Sequence, residues 1–127
     1  MDRVDASTEW SDTFGYSRAV RRGNVIEVAG TAGLSADGVA PREAYGQAQQ
    51  ALETIVSAIE ALGGALEDVV RTRMFVVDIR RNGYDVGRAH GELFTAVRPA
   101  TGMYEVGALI REDLLVEIEA TAVLGAD

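Results

Sequence analysis

From Ala44 to Leu62 the apolar residues return at Ala48, Leu52, Ile55, Ile59 and Leu62, at steps of four, three, four and three. That period places them along one face of an α-helix and leaves the intervening Gln, Glu and Ser on the other. The spacing predicts a helix over 44–62. Gly63-Gly64 closes it, because glycine enters the left-handed conformation without a Cβ penalty.

Elsewhere the period is two. Ser17 to Gly33 alternates around Gly23-Asn24, a hairpin signal between β-prone runs, and predicts strands at about 17–22 and 24–31. The stretch from Leu34 to Arg42, with Asp37-Gly38 and Pro41, reads as a loop. Val69 to Ile79 is rich in β-branched residues and reads as a central strand. It sets Arg71, Arg73, Phe75 and Val77 on one face against Val70, Thr72, Met74 and Val76 on the other.

Asn82-Gly83 reads as the turn that follows this strand. Val86, Ala89, His90, Leu93, Phe94 and Val97 then form the stripe of a second helix, stopped by Pro99. Strands at about 101–109 and 116–124 flank the charged loop Arg111-Glu112-Asp113. The order ββαβαββ predicts an α+β fold in one domain over 1–127, a single mixed β-sheet with two helices packed on one face.

The last strand has two different faces. Val116, Ile118, Ala120 and Ala122 point one way, and Glu117, Glu119 and Thr121 the other. Two carboxylates two residues apart stand roughly 6.5 Å from each other. They could serve as a paired acid and base, or as two structural ion pairs with Arg71 and Arg73 on a neighbouring strand.

The run Pro99-Ala100-Thr101-Gly102-Met103-Tyr104-Glu105-Val106, followed by Glu117-Ile118-Glu119-Ala120, resembles the C-terminal signature of the RidA family, also called YjgF or endoribonuclease L-PSP. The resemblance implies a trimeric chorismate-mutase-like fold with ligand clefts between subunits. It also implies hydrolysis of reactive 2-imino acids to 2-keto acids and ammonia. In such deaminases the first Glu of Glu-Ile-Glu-Ala positions the hydrolytic water, and Glu117 stands at that place.

Tyr16, after Phe14-Gly15, matches the family Tyr that reaches into the cleft, or is an ordinary half-buried aromatic. Thr101 departs from the pattern: it occupies the position of an Arg whose two-pronged fork clamps the substrate carboxylate, and one neutral hydroxyl cannot replace that fork. Met103 stands where many members have Cys and would offer an apolar wall and a backbone N–H. Gly87 falls near a site Asn, a second departure. Arg18, two residues beyond Tyr16, either substitutes as an anion clamp or is a solvated strand charge.

The remaining chemistry is sparse. A formal charge of −8 repels polyanions and argues against nucleic-acid or anionic-membrane binding. A ribonuclease would also need basic and aromatic surfaces that track RNA. Cys is absent and His90 is the only His, so a transition-metal site is not expected. His90 lies on an apolar stripe and is expected to pack rather than to catalyse.

No glycine pattern forms a nucleotide cradle and no serine has a nucleophile-elbow context, so no cofactor is expected. Residues 1–15 hold no secretory h-region and no stretch could span a bilayer, which favours a cytoplasmic protein. The expected partners are two further copies of the chain and a small-molecule ligand. Two functions compete: a RidA-like enzyme acting on an imine, an enamine or a related metabolite, with 2-imino acids disfavoured by Thr101, and a non-catalytic trimer that binds or senses a small ligand.

Overall fold

The computed structural model describes residues 2–125. In chain order the elements are β1 (Arg3–Val4), α1 (Ser11–Phe14), β2 (Ala19–Arg22), β3 (Val25–Ala32), α2 (Ala44–Ala61), β4 (Val69–Val77), α3 (Ile79–Phe94), β5 (Ala100–Val106) and β6 (Val116–Val123). Among the described residues the strands form one mixed sheet in the order β1-β2-β3-β6-β4-β5. Only the β4–β5 pair is parallel, joined by the α3 crossover, and the others are antiparallel. Both long helices pack on one face, as the alternation predicts.

The core follows the patterning. Val116, Ile118, Ala120 and Ala122 are at most 1% exposed and meet Ala48, Leu52, Ile55 and Ile59 of α2. Gly33 has a packing role: a Cβ there would stand 2.1 Å from the Gln47 carbonyl oxygen, so the chain can pass beneath α2 only as glycine. At the end of α2, Gly63 takes φ +94. Its N–H bonds the Glu60 carbonyl and that of Gly64 bonds Ile59. Arg21 Nη1 donates to the Leu62 carbonyl at 2.8 Å. That side chain therefore caps the helix.

Two expectations need correction. Asn82-Gly83 is not a turn but lies inside α3. The chain reverses earlier, at Asp78, which adopts φ +54, and Asn82 Nδ2 ties back to the Val77 carbonyl at 2.7 Å. Val70 does not share the buried face of Thr72, Met74 and Val76. A register irregularity between Val69 and Arg71 turns Val69 inward and leaves Val70 exposed. Residues 2–15 also carry β1 and α1, which are too short to leave a periodic signal.

Candidate functional site

A cleft of about 980 Å³ opens beside β3 and β6, with Gln50 and Thr54 of α2 at one side. Its walls come from the N-terminal segment, the β3 bulge, the 34–38 loop, the 108–111 loop and β6. It contains Tyr16, Arg18 and Glu117. Sequence reasoning put these three in one site, and one chain brings them together.

Glu117 is there because β6 alternates. Its neighbours Val116 and Ile118 are buried under the helices, so its own side chain must point to the open face. It reaches sideways over Gly30: a Cβ on that glycine would lie 2.3 Å from Glu117 Oε2. A glycine inside a strand marks close approach, and here the carboxylate occupies the space. Half-burial pushes the Glu117 carboxyl above the usual carboxylate range. Nearby Glu119 pushes the same way, and Arg18 offsets part of it.

Glu119 takes a different part. It stands opposite Arg73 and approaches it to 3.9 Å, an exposed ion pair of the structural kind. Arg71, the other expected ion-pair partner, stands opposite Thr121 and makes no ion pair among the described residues. Thr121 instead donates to Glu27 at 2.6 Å. The two carboxylates of one strand thus divide: Glu119 is paired, while Glu117 faces the cleft.

Arg18 is not a solvated strand charge. It is 7% exposed, and its Nη1 donates to the Gly30 carbonyl at 2.7 Å and to Thr31 Oγ1 at 3.0 Å. The β3 register breaks between Val28 and Thr31, so the Gly30 carbonyl is free of the ladder and turned toward the guanidinium. Burial lowers the Arg18 pKa, partly offset by Tyr16 and Glu117. A guanidinium stays charged at neutral pH even so. Tyr16 shares a 2.7 Å hydrogen bond with Thr8, fixing its ring at the cleft mouth.

Thr101 and Met103 are not in this cleft of the single chain. Both lie on the edge strand β5, toward the helix-covered face. Thr101 Oγ1 is 2.9 Å from Thr72 Oγ1 and donates to the Pro99 carbonyl. Thr72 in turn bonds His90 Nε2 at 2.8 Å. His90 is buried and stacks 4.6 Å from the Phe94 ring, and burial lowers its pKa. It packs, as its place on the apolar stripe predicts. Met103 lies under α3, where Gly83 and Gly87 leave it room.

Gly30 and Thr31, which shape the site, escaped the sequence reading. The interior glycine of β3 was the available signal. Gln47 also escaped it. Wholly buried on α2, it donates to the Pro41 and Asp113 carbonyls and accepts from the Leu115 N–H, tying the loop after β3 to the one before β6. A smaller cavity of about 500 Å³ between α2 and α3 is lined by Leu52, Val56 and Leu93 among others. No buried charge faces it, and the chemistry gathers in the cleft.

Comparison with known proteins follows this geometry. The family model Endoribonuclease L-PSP matches residues 8–124. The chain is 34% identical to the 2-iminobutanoate/2-iminopropanoate deaminase of Escherichia coli K12 over 113 residues, 85% of this chain and 86% of that protein. It superposes on Rv2704 of Mycobacterium tuberculosis, a member of the YjgF/YER057c/UK114 family, with TM-score 0.88 and 43% identity, covering 96% of this chain and 98% of that one. The E. coli YjgF structure gives TM-score 0.83 at 30% identity, covering 97% and 94%.

Proposed function

The chain belongs to the RidA family, the YjgF or endoribonuclease L-PSP proteins, and from that premise we propose that it hydrolyses a reactive imine or enamine in the Glu117 cleft. The observation that carries the reading is the half-buried Glu117 carboxyl, which makes no ion pair among the described residues and opens on a space large enough for a metabolite. A carboxyl whose pKa is raised toward the working pH suits general acid–base work.

The step is balanced by water alone. The Glu117 carboxylate takes a proton from a water molecule as its oxygen attacks the carbon of the protonated imine, and the C=N electron pair moves to nitrogen, leaving a neutral carbinolamine. The same carboxyl then returns its proton to the nitrogen of the carbinolamine. The C–N bond breaks as the regenerated carboxylate takes the hydroxyl proton and passes it to the departing ammonia, so that ammonium and a carbonyl compound remain.

A trimer completes this reading. A sheet covered on one face leaves the other to a neighbour, and Phe75, Val77 and the exposed Tyr104 lie on or beside that uncovered area. The β5 edge of a second copy, with Thr101 and Met103, would then close the cleft of the first. Sedimentation should give three times the chain mass.

Freshly generated imines of several amino acids should release ammonia faster with the protein than in buffer, and Glu117→Gln should abolish the gain. No acceleration with any imine overturns the reading. It would favour the second function, a trimer that binds a small ligand without turnover. One observation supports that alternative: Thr101 offers no charge and its hydroxyl is already engaged by Thr72 and Pro99.

A further inference from the structure

Arg18 is the one buried arginine among the described residues. Its side chain is more than nine-tenths buried, yet among the described residues no carboxylate oxygen approaches its guanidinium to ion-pair distance. Taking a charge out of water is costly unless an opposite charge or a full set of hydrogen bonds replaces the water. Here Nη1 alone bonds, to the neutral Gly30 carbonyl and the Thr31 hydroxyl.

The rest of the fork, Nε and Nη2, is not sealed in: the one buried side-chain nitrogen without a partner among the described residues is Arg71 Nε. The open edge therefore faces the cleft, with the Tyr16 hydroxyl beside it. Glu117 lines the same cleft but stays beyond ion-pair distance. The result is a fixed cation, an aromatic hydroxyl and a carboxyl around one space.

We propose that Arg18 and Tyr16 form the binding site for the carboxylate of a small acidic ligand, presenting the atoms next to that carboxylate to Glu117. The inference rests on the Proposed function for what Glu117 does, and on geometry alone for what Arg18 binds. A planar fork with two N–H groups free matches a carboxylate through two parallel hydrogen bonds. The cation also comes from the same chain as Glu117, so the acidic substrate class that Thr101 disfavours is regained by another route. The site selects small monoanions, since Glu117 repels a second negative charge placed deeper in the cleft.

The test is binding of pyruvate against its neutral isostere pyruvamide, followed by amide and Arg Nε–H shifts in NMR titrations of the intact protein. Pyruvate should saturate with a Kd roughly tenfold or more below that of pyruvamide, the ratio expected of a charge-assisted fork, and should move the Arg18 Nε–H resonance. Arg18→Gln should bring pyruvate to the level of pyruvamide, and Arg18→Lys should keep part of the preference. If Arg18→Gln fails to fold, the comparison of the two probes on the unaltered protein still decides.

Equal binding of both probes overturns the proposal, as does undiminished pyruvate binding by folded Arg18→Gln or no saturable binding at all. The two readings fail separately. Pyruvate held through Arg18 while every imine goes unhydrolysed removes the hydrolase and keeps this site. Hydrolysis that treats acidic and neutral imines alike removes this site and keeps the hydrolase.

Discussion

Two polar clusters lie on the sheet, and they differ in whether their groups find partners within the chain. At the β5 edge, His90, Thr72 and Thr101 hand hydrogen bonds from one to the next and end on the Pro99 carbonyl. Nothing in that cluster carries charge while burial keeps His90 neutral. In the cleft, Arg18 and Glu117 are both displaced from ordinary ionisation, share a space and make no ion pair. A buried polar group that is fully bonded is architecture, whereas one left short of partners is held in place by the fold for something else.

The sharpest way to break the comparison is to remove the acid–base group. Glu117→Gln should lower ammonia release by about 10²–10⁴-fold while leaving the protein folded, as circular dichroism would verify. Gly30→Ala should come next. Its new methyl group meets only the mobile end of Glu117, so the fold should survive while the displaced carboxyl loses about 10²-fold in turnover, the effect of an ångström-scale misplacement. Loss of folding in that variant would mean that Gly30 serves the backbone.

The closed cluster should respond in the opposite sense. Thr72→Val strands His90 Nε2 and should cost about 1–3 kcal/mol in denaturant unfolding, with turnover per folded molecule unchanged. A collapse of turnover would join the two clusters into one site.

The smallest effect is a pH dependence. The folded-state pKa of Glu117 is raised above its unfolded value. Its contribution to stability is therefore fully present below the unfolded pKa and is lost as pH rises through the folded one. Glu117→Gln should accordingly melt above the unaltered protein at pH 8, and the gap should close toward pH 4. Turnover should move the other way, rising over the same window as the carboxylate forms.

What the sequence made legible follows from periodicity. The α2 stripe and the alternation of β6 placed the core and aimed Glu117 at the open face, because a buried Val116 and Ile118 leave it no other direction. The surroundings of Arg18 were not legible. Its partners are a carbonyl exposed by a bulge in β3 and the threonine that follows it on the same strand, and neither has a local signature. Asn82-Gly83 misled for a related reason. Its turn propensity is real, but the reversal had already been made at Asp78, and Gly83 instead lets α3 settle on Ile79 and Met103.

The family resemblance also joined Thr101 and Met103 to Glu117, whereas a single chain places them two strands away from β6 and toward the other face. Only a neighbouring copy could bring them back to the cleft. In the proposed trimer, one chain would supply only part of each site.

The central claim is that the cleft holds Glu117 as an acid–base group outside ordinary carboxylate behaviour. Its most direct test is a carbon-13 NMR titration of the glutamate side-chain carboxyls in the folded protein. Glu117 should titrate above the usual carboxylate range. A Glu117 midpoint within or below that range would contradict the account.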